Sequence, residues 1–358
     1  MTNLDKIIIF LPNLNLGGAQ ISIISIADYF KSKNIEVNFI IANKRPEYDL
    51  SYKLPSIKIK YLNSNKTIFS IFKLRKEINK IKPDIILSTL PTPNFMVVAL
   101  KFFKLIKSKV VIREASSNYL SWKRTNLNKI LSTFAFNYSD ANIFISNEQR
   151  NNYLKFISNE NNFVIYNPVL TKDFYEKSNE NLTETTITKQ LWVTVSRIEF
   201  VKGLDILLDT VREMKVLENV EILVIGSGSR LNEYKKEYKD LPVKFLGQVK
   251  NPIKFIKIAD LFIFPSRREG LGNSLIEAQL LGKQIIASDC ESGPKEIINL
   301  FSNGVLFETE NKKDLQEKLL SFVPKKDIIV SEDKKKLFSV DEVGKQYEIV
   351  FLKMLNKI

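Results

Sequence analysis

The stretch ADLFIFPSRREGLGNSLIEAQLLGKQIIAS, residues 259–288, decides the fold of the chain around it. Residues 261–264 form a short apolar run that is typical of a buried strand, and residues 284–288 form another. Between them, residues 275–281 have the apolar spacing of a helix that follows a glycine-bearing turn. A strand, a helix and a strand in this order predict a parallel crossover unit in an open α/β sheet.

Two glutamates, Glu269 and Glu277, lie eight positions apart across this turn. Open α/β sheets bind ligands beyond the carboxyl ends of their strands, where helix N-termini present free N–H groups to anions. Glu277 has a second interpretation, because Ser274 and Glu277 fit a capping box that satisfies the start of the helix. Glu269 precedes the turn, where a carboxylate would repel bound phosphate unless it served the hydroxyls of a ligand.

The composition excludes several classes of enzyme. The chain has 358 residues, no histidine and one cysteine, Cys290. It therefore lacks a histidine-based catalytic triad, a histidine base or metal ligand, an intramolecular disulfide and a zinc–thiolate cluster. The single cysteine and the absence of a long apolar run favour a cytoplasmic protein, and we expect the N-terminus to form a strand and not a signal peptide. The length predicts two domains.

Positive charge is concentrated in the first half of the chain. Residues 1–170 hold 24 Lys and Arg against 11 Asp and Glu, a balance of +13 within a net charge of +14. Each basic helix alone is compatible with a solvated face, but the asymmetry favours an anionic partner: nucleic acid, an acidic membrane or a phosphorylated substrate. Aromatic residues among the lysines favour the membrane. The positions concerned are Lys73, Lys76, Lys80, Lys101, Lys104, Lys107 and Lys109, interleaved with Phe102, Phe103, Leu105 and Ile106, and then Trp122, Lys123 and Arg124.

Strands and helices alternate along both halves, which predicts two Rossmann-like α/β domains with parallel sheets. We expect a first domain over residues 1–168, a second over 169–338 and a final amphipathic helix over 339–358. The polar stretch 177–189 is predicted to be a loop. The predicted strands cover residues 6–12, 37–42, 85–89, 110–113, 141–146, 191–196, 220–226, 243–246, 261–264 and 284–288, and the clearest helices of the first half cover 21–32 and 69–81.

Each half has one candidate for holding phosphate. Gly17 and Gly18 follow the first strand and open a helix, so their backbone can approach a ligand at the positive helix end. In the second half, Arg197 and Lys202 follow a strand that ends at Ser196, and two cations there can neutralise a diphosphate. That stabilisation grows as the diphosphate becomes a leaving group. The alternative is that both are ordinary surface cations.

The ordered set of motifs resembles the donor domain of glycosyltransferase family 4. The matching segments are VSRIEFVKGLDILLDTV (195–211), EILVIGSGSRL (221–231), VKFLGQVKN (243–251) and residues 259–298. The GGAQ turn at residues 17–20 is similar to the corresponding turn of that family. The resemblance covers nearly the whole chain and is strongest between residues 191 and 298.

The resemblance implies a GT-B fold, in which two Rossmann-like domains face each other and a C-terminal helix crosses back to the first domain. The first domain would bind the acceptor and the second a nucleotide sugar. The resemblance also implies retention of the anomeric configuration, with no metal ion or other cofactor.

By the same match, Arg197 and Lys202 would grip the donor diphosphate, and Glu269 would contact the transferred sugar. These three would be the catalytic residues, and Glu277 would hold the ribose. The other donor-site positions are Gly17 and Gly18 from the first domain, Gly226, Gly247 and Val249 with the last two near the base, and Gly270, Leu271, Gly272 and Asn273 through backbone N–H groups.

The missing histidine is a departure from the family, since many relatives place one near the reacting sugar. Arg113 or Glu114, after a predicted strand, would then be the acceptor-side candidates. Transfer from a nucleotide diphosphate needs stabilisation of the leaving group above all. Cations and helix-end amides supply that without histidine or metal.

The sequence thus predicts a retaining hexosyltransferase that moves a hexose or N-acetylhexosamine from a UDP-sugar to a polyprenyl-diphosphate-linked glycan in surface polysaccharide synthesis. We expect it on the inner face of the cytoplasmic membrane, held peripherally by the basic first domain. The alternatives are a non-transferring GT-B enzyme such as a nucleotide-sugar epimerase, disfavoured by the missing histidine, and a nucleic-acid-binding protein, for which no recognised motif is present. No feature favours a particular oligomeric state.

Overall fold

The computed structural model describes residues 4–15, 17–44, 50–115, 126–181, 189–214 and 219–357. The chain divides into two compact units, one of residues 1–168 with 338–358 and one of residues 169–337. Trp122, Lys123 and Arg124 of the basic cluster lie outside the described residues, as do residues 182–188 of the predicted loop.

The first unit is built on a parallel sheet. Its described strands are β1 (Lys6–Leu11), β2 (Glu36–Asn43), β3 (Lys58–Ser64), β4 (Ile85–Thr89), β5 (Lys109–Glu114), β6 (Ala141–Phe144) and β7 (Asn162–Val164). They lie in the order β3-β2-β1-β4-β5-β6-β7. The chain begins in the middle, moves to one edge and then crosses to the other, so the order reverses between β1 and β4, which is the switch point of an open α/β sheet.

Helices cover both faces of this sheet. In chain order they are α1 (Gly18–Ser32), α2 (Ile71–Ile81), α3 (Pro91–Phe102), α4 (Asn126–Tyr138), α5 (Asn147–Tyr153) and, at the C-terminus, α14 (Val340–Met354), with 3-10 turns at Leu50–Lys53 and Thr67–Ser70. Alternate residues of β1 point to different layers: Ile7 and Ile9 lie in the core with α1 and α14, and Ile8 lies in the core with α2 and α3. The continuous apolar run of β1 is therefore buried on both faces.

The last helix packs against α1 within the first unit. The hydroxyl of Tyr29 donates to the Glu348 carboxylate at 2.7 Å. Phe30 and Phe351 stack with their ring centroids 5.2 Å apart. The predicted return of the C-terminal helix to the first domain is therefore confirmed.

The second unit repeats the plan. Its described strands are β8 (Gln190–Val195), β9 (Val220–Ile225), β10 (Val243–Gly247), β11 (Leu261–Phe264), β12 (Ile285–Ser288) and β13 (Val305–Phe307), in the order β10-β9-β8-β11-β12-β13. Its helices are α6 (Phe174–Ser178), α7 (Leu204–Met214), α8 (Leu231–Glu237), α9 (Ile253–Ile258), α10 (Asn273–Leu280), α11 (Pro294–Phe301), α12 (Lys312–Leu320) and α13 (Glu332–Lys336), and a 3-10 turn covers Phe200–Lys202. The strand order reverses between β8 and β11.

The predicted strands and helices are present, with ends that differ by a few residues. Three strands were missed. β3 is an edge strand whose side chains are mostly exposed or partly buried, and β7 and β13 have three residues each, which is too short for periodicity to show. The loop prediction for 177–189 was wrong at its start, because α6 ends at Ser178.

Candidate functional site

The candidate site lies at the carboxyl ends of β8, β9 and β11, which are neighbours at the switch point of the second unit. Three loops leave this edge: residues 196–203 after β8, 226–230 after β9 and 265–272 after β11. These loops carry most of the donor-site positions that the sequence predicts. Because the strands are parallel, the sheet brings together segments that are far apart in the chain.

An ion pair joins two of the predicted catalytic residues. Lys202 Nζ lies 2.5 Å from Glu269 Oε1, and Ser266 Oγ donates to the same oxygen at 2.9 Å. The Lys202 and Glu269 side chains are only 15% and 10% exposed, so the pair is largely removed from water. Glu269 Oε2 accepts no hydrogen bond from any residue that the structure describes, which leaves this oxygen available to a ligand hydroxyl.

Arg267 fixes the two segments that carry this ion pair. Its guanidinium makes a bidentate pair with Asp205 at 2.7 and 2.8 Å and lies over the Phe200 ring, 3.9 Å from its centroid. Its backbone N–H donates to the carbonyl of Val201 at 2.9 Å. Burial would raise the pKa of Asp205, but the Arg267 guanidinium holds it below its usual value. The loop after β11 is thus tied to the 3-10 turn after β8.

Two glycines allow the loops of the site to approach each other closely. Gly203 has φ +63°, and a Cβ there would lie 2.0 Å from the carbonyl oxygen of Pro265. Gly226 has φ +137°, and its Cβ would lie 1.8 Å from the carbonyl oxygen of Ser196. Side chains are excluded at both positions by conformation and by space. Gly226 was predicted for the donor site, whereas Gly203 was not.

Helix α10 begins with its first-turn N–H groups directed to the site edge. Its N-cap is Gly272 at φ +84°, and no side chain caps it. The Ser274 hydroxyl donates instead to the carbonyl of Val195 at 2.9 Å. The capping-box interpretation of Ser274 and Glu277 is therefore wrong, because the serine ties the helix to the end of β8. The N–H groups of Ser274 and Leu275 in the first turn have no acceptor within the helix and can face an anion.

Glu277 is partly buried one turn into α10. Burial raises the pKa of its carboxyl group to about 7, and the nearby Lys177 ammonium opposes that shift. Its carboxylate forms no hydrogen bond or ion pair with any other described residue. A carboxylate that the fold leaves without a hydrogen-bond donor is suited to accept from the hydroxyls of a ligand.

The remaining donor-side positions lie around this edge. Arg197 is exposed, and its guanidinium pairs with no acid in the described part of the chain. The N–H of Gly226 donates to the carbonyl of Gly247 at 2.8 Å, which joins the ends of β9 and β10. Val249 is partly buried just beyond. Behind the loop 270–273, Gly293 packs so closely that a Cβ would lie 2.6 Å from Leu271 Cα.

The first-unit candidates occupy two different environments. Gly17 is the N-cap of α1, and Gly18 is the first residue of that helix, at the carboxyl end of β1. Arg113 is fully buried, and its Nη2 donates to Asn167 Oδ1 at 2.5 Å. Glu114 is also buried, where its carboxylate accepts from the hydroxyl of Tyr153 at 3.1 Å. An acceptor-side role for Arg113 and Glu114 stays a prediction, with both side chains engaged inside the unit.

Sequence reasoning missed several residues that shape the site. Arg267, Asp205, Ser266, Gly203, Gly293 and Lys177 all contact or support the predicted ligand positions. Apart from the bond between Ser266 and Glu269, three positions apart, their contacts join residues far apart in the chain, which no local spacing predicts. The one available signal was that all of them except Lys177 fall within the segments that match the family.

Two family models match consecutive parts of the chain. Residues 16–173 match the model described as Glycosyltransferase Family 4, and residues 177–336 match the model described as Glycosyl transferases group 1. The chain is 23% identical over 335 residues to the Campylobacter jejuni N-acetylgalactosamine-N,N'-diacetylbacillosaminyl-diphospho-undecaprenol 4-alpha-N-acetylgalactosaminyltransferase, covering 87% of this chain and 88% of that protein. It is 24% identical over 327 residues to the Staphylococcus aureus capsular polysaccharide biosynthesis glycosyltransferase CapH, covering 85% and 86%.

A solved structure shows the same fold. The Anabaena protein HepE, crystallised with UDP and glucose, superposes with a TM-score of 0.73 at 16% identity, covering 99% of this chain and 97% of that chain. The described residues form parallel sheets of seven and six strands, and with this likeness they define a GT-B fold. With both family models matched in succession, the chain belongs to the glycosyltransferases of the family 4 type. No helix in the described part of the chain is long and apolar enough to cross a bilayer.

Proposed function

We propose that this chain transfers a hexose or N-acetylhexosamine from a UDP-sugar to a polyprenyl-diphosphate-linked glycan, with retention of configuration and without a metal ion. The observation that carries the proposal is the ion pair of Lys202 and Glu269 at the carboxyl edge of β8 and β11. The pair would set a cation for the diphosphate directly beside a carboxylate for the sugar.

The residues of this edge divide the chemistry between them. Arg197 and Lys202 would neutralise the diphosphate as negative charge develops on it, together with the N–H groups that open α10. Lys202 has three donors, so it can serve the diphosphate and keep its bond to Glu269. The free Oε2 of Glu269 would accept from a sugar hydroxyl, and Glu277 would accept from the ribose. No step in this scheme requires a histidine.

The acceptor is proposed from the relatives and from charge. The Campylobacter relative is named for an undecaprenol-diphosphate-linked acceptor, and the Staphylococcus relative is named for capsule biosynthesis. A UDP donor is suggested by the complex of the Anabaena protein. The excess of +13 in residues 1–170 would hold the enzyme peripherally at the inner face of the cytoplasmic membrane, where such acceptors are presented.

The test is transfer by the purified chain from UDP-glucose, UDP-galactose and their N-acetylated forms to a polyprenyl-diphosphate-linked glycan. We expect product from one of these donors, with the donor's anomeric configuration by NMR. Glu269→Gln should lower transfer by at least about 100-fold, because the amide cannot hold Lys202 as an ion pair.

The matched control is Arg268→Gln, since Arg268 is the exposed neighbour that pairs with no described acid. Its transfer rate should stay within about twofold of the wild type. Absence of transfer from every donor, or equal activity of the Glu269 variant and the wild type, would refute the proposal.

A further inference from the structure

The first unit has an apolar ridge at the point where the 3-10 turn Thr67–Ser70 continues into α2. Ile68, Phe69 and Phe72 are 37%, 68% and 81% exposed. Phenylalanine side chains are normally buried when the fold allows it, and single exposed ones need no explanation. Three apolar side chains on one turn, two of them largely in water, form a surface that a partner could cover.

The exposure is fixed by the packing of the segment. Leu74 and Ile78 are buried in the core on the inner face of α2. The hydroxyl of Ser70 donates to the carbonyl of Thr67 at 2.7 Å and is itself buried. With the inner face anchored in this way, the helix cannot rotate to bury Phe72 without exposing Leu74.

Unpaired cations flank the ridge and continue along α2. Residues 66–80 carry five Lys and Arg and one acid, Glu77. Lys73 Nζ donates to the carbonyl of Leu62 at 3.0 Å, and the cations of the segment form no ion pair with any described acid. Elsewhere in the same unit lysines are paired: Lys101 and Lys109 both contact Asp140. The cations meant are Lys66, Lys73, Arg75, Lys76 and Lys80.

The ridge also lies at the functional edge of its sheet. The 3-10 turn follows the carboxyl end of β3, and Gly18 follows the carboxyl end of β1, so both lie at the same edge of the parallel sheet. A second exposed aromatic group, around Phe102 and Phe103, lies at the opposite edge, where α3 ends and β5 begins.

We propose that residues 66–80 dock the first unit on a bilayer that contains anionic lipids, with Phe69 and Phe72 inserted among the headgroups. Exposed aromatic side chains flanked by unpaired cations match the two layers of such a surface, acyl chains below and phosphates above. A second copy of the chain fits poorly, since it would set five cations against five. This inference deepens the proposed function. It rests on that function in one respect, the lipid-linked acceptor that brings the enzyme to a membrane.

The test is co-sedimentation with vesicles of phosphatidylcholine alone or mixed with phosphatidylglycerol. We expect the wild type to bind only the mixed vesicles, and less at about 0.5 M than at about 0.1 M salt. The double variant Phe69→Ser, Phe72→Ser should bind at least tenfold more weakly, as should the triple variant Lys73→Gln, Lys76→Gln, Lys80→Gln.

The matched control is Phe103→Ser, because Phe103 is 66% exposed at the opposite edge. Its vesicle binding should stay within about twofold of the wild type. Equal binding by the double variant and the wild type, or an equal loss with Phe103→Ser, would overturn the proposal. Salt-sensitive binding to a single-stranded oligonucleotide with none to vesicles would assign the ridge to nucleic acid instead.

Transfer assays separate this inference from the proposed function. The double variant should keep its activity on a detergent-solubilised acceptor and lose it on an acceptor embedded in vesicles. Vesicle binding by a wild type that transfers no sugar would refute the proposed function and leave the docking surface standing. Transfer by a wild type that does not bind vesicles would refute the docking surface and leave the proposed function standing.

Discussion

Glu277 should make binding of the donor depend on pH in the neutral range. Burial raises the pKa of its carboxyl group from 4.5 to about 7, and Lys177 opposes that shift. Ribose hydroxyls donate hydrogen bonds to an ionised carboxylate, whereas a protonated carboxyl group has one oxygen occupied by its own proton. The donor is therefore expected to bind the ionised form of Glu277.

The size of the effect follows from the raised pKa. With a pKa of about 7, about a tenth of the carboxyl groups are ionised at pH 6 and about nine tenths at pH 8. The association constant for a UDP-sugar should therefore rise about tenfold over this range, or about 1.4 kcal/mol. The diphosphate of a UDP-sugar is esterified at both ends and does not titrate here, so the rise is due to the protein.

The same pKa affects the stability of the ligand-free protein. The folded-state pKa of Glu277 lies above its unfolded value of 4.5, so the folded state holds the proton more tightly. This contribution is fully present below about pH 4.5 and is lost as the pH rises through about 7, at a total cost of about 3 kcal/mol. Glu277→Gln, which stays neutral, should thus be more stable than the wild type at pH 8 and similar near pH 4.5.

Isothermal titration of a UDP-sugar into the wild type and Glu277→Gln between about pH 6 and about pH 8 measures the first effect. Chemical denaturation at about pH 4.5 and at about pH 8 measures the second. The wild type should gain affinity with pH, whereas the variant should bind weakly at every pH with a flat profile. A flat wild-type profile, or the same tenfold rise in the variant, would refute the assignment of Glu277 to the ribose.

Three further predictions concern the frame around the ion pair and the independence of transfer from metal ions. Gly203→Ala should lower the free energy of unfolding by at least about 2 kcal/mol in denaturant titrations, because Gly203 has φ +63° and the carbonyl oxygen of Pro265 leaves no room for a Cβ. The control is Gly17→Ala, since Gly17 has an extended backbone. Arg267→Lys loses the bidentate contact with Asp205 and should reduce kcat about tenfold more than it changes KM. The control Arg268→Lys should have the kinetics of the wild type. If Arg267→Lys also had them, Arg267 would not position the ion pair. Transfer should continue unchanged in excess EDTA, and a loss restored by a divalent cation would contradict the metal-free scheme.

The sequence predicted the fold well because the strands that form the centre of each sheet are continuous apolar runs. β1 and β11 are buried at almost every position, so their composition alone marks them. β3 was missed because it is an edge strand with polar side chains in solvent. The register and order of the strands bring the predicted loops together. No local stretch of sequence predicts that register or that order.

The site was predicted only at the level of residue types. Glu269 and Lys202 were both identified, but their ion pair joins positions 67 residues apart, and local spacing does not predict it. Ser274 and Glu277 have the spacing of a capping box, but that interpretation is wrong because the Ser274 hydroxyl donates to the carbonyl of Val195, on a strand 79 residues earlier in the chain. Exposure is equally hidden from spacing: Phe72 and Leu74 have similar hydropathy, and only the packing of α2 decides which one faces solvent.

The two glutamates of the opening motif therefore differ in what the fold gives them. Glu269 already has Lys202 and Ser266 on one oxygen, so it is oriented before any ligand arrives, with the other oxygen free. Glu277 has no hydrogen-bond partner in the described chain, and its burial raises the pKa of its carboxyl group. A ligand that donated two hydroxyls to the Glu277 carboxylate would offset the free-energy cost of burying its charge. The same ligand would add little to the stabilisation of the Glu269 charge, which Lys202 already compensates. We infer that Glu277 contributes mainly to donor affinity and that Glu269 contributes mainly to the orientation of the sugar during transfer.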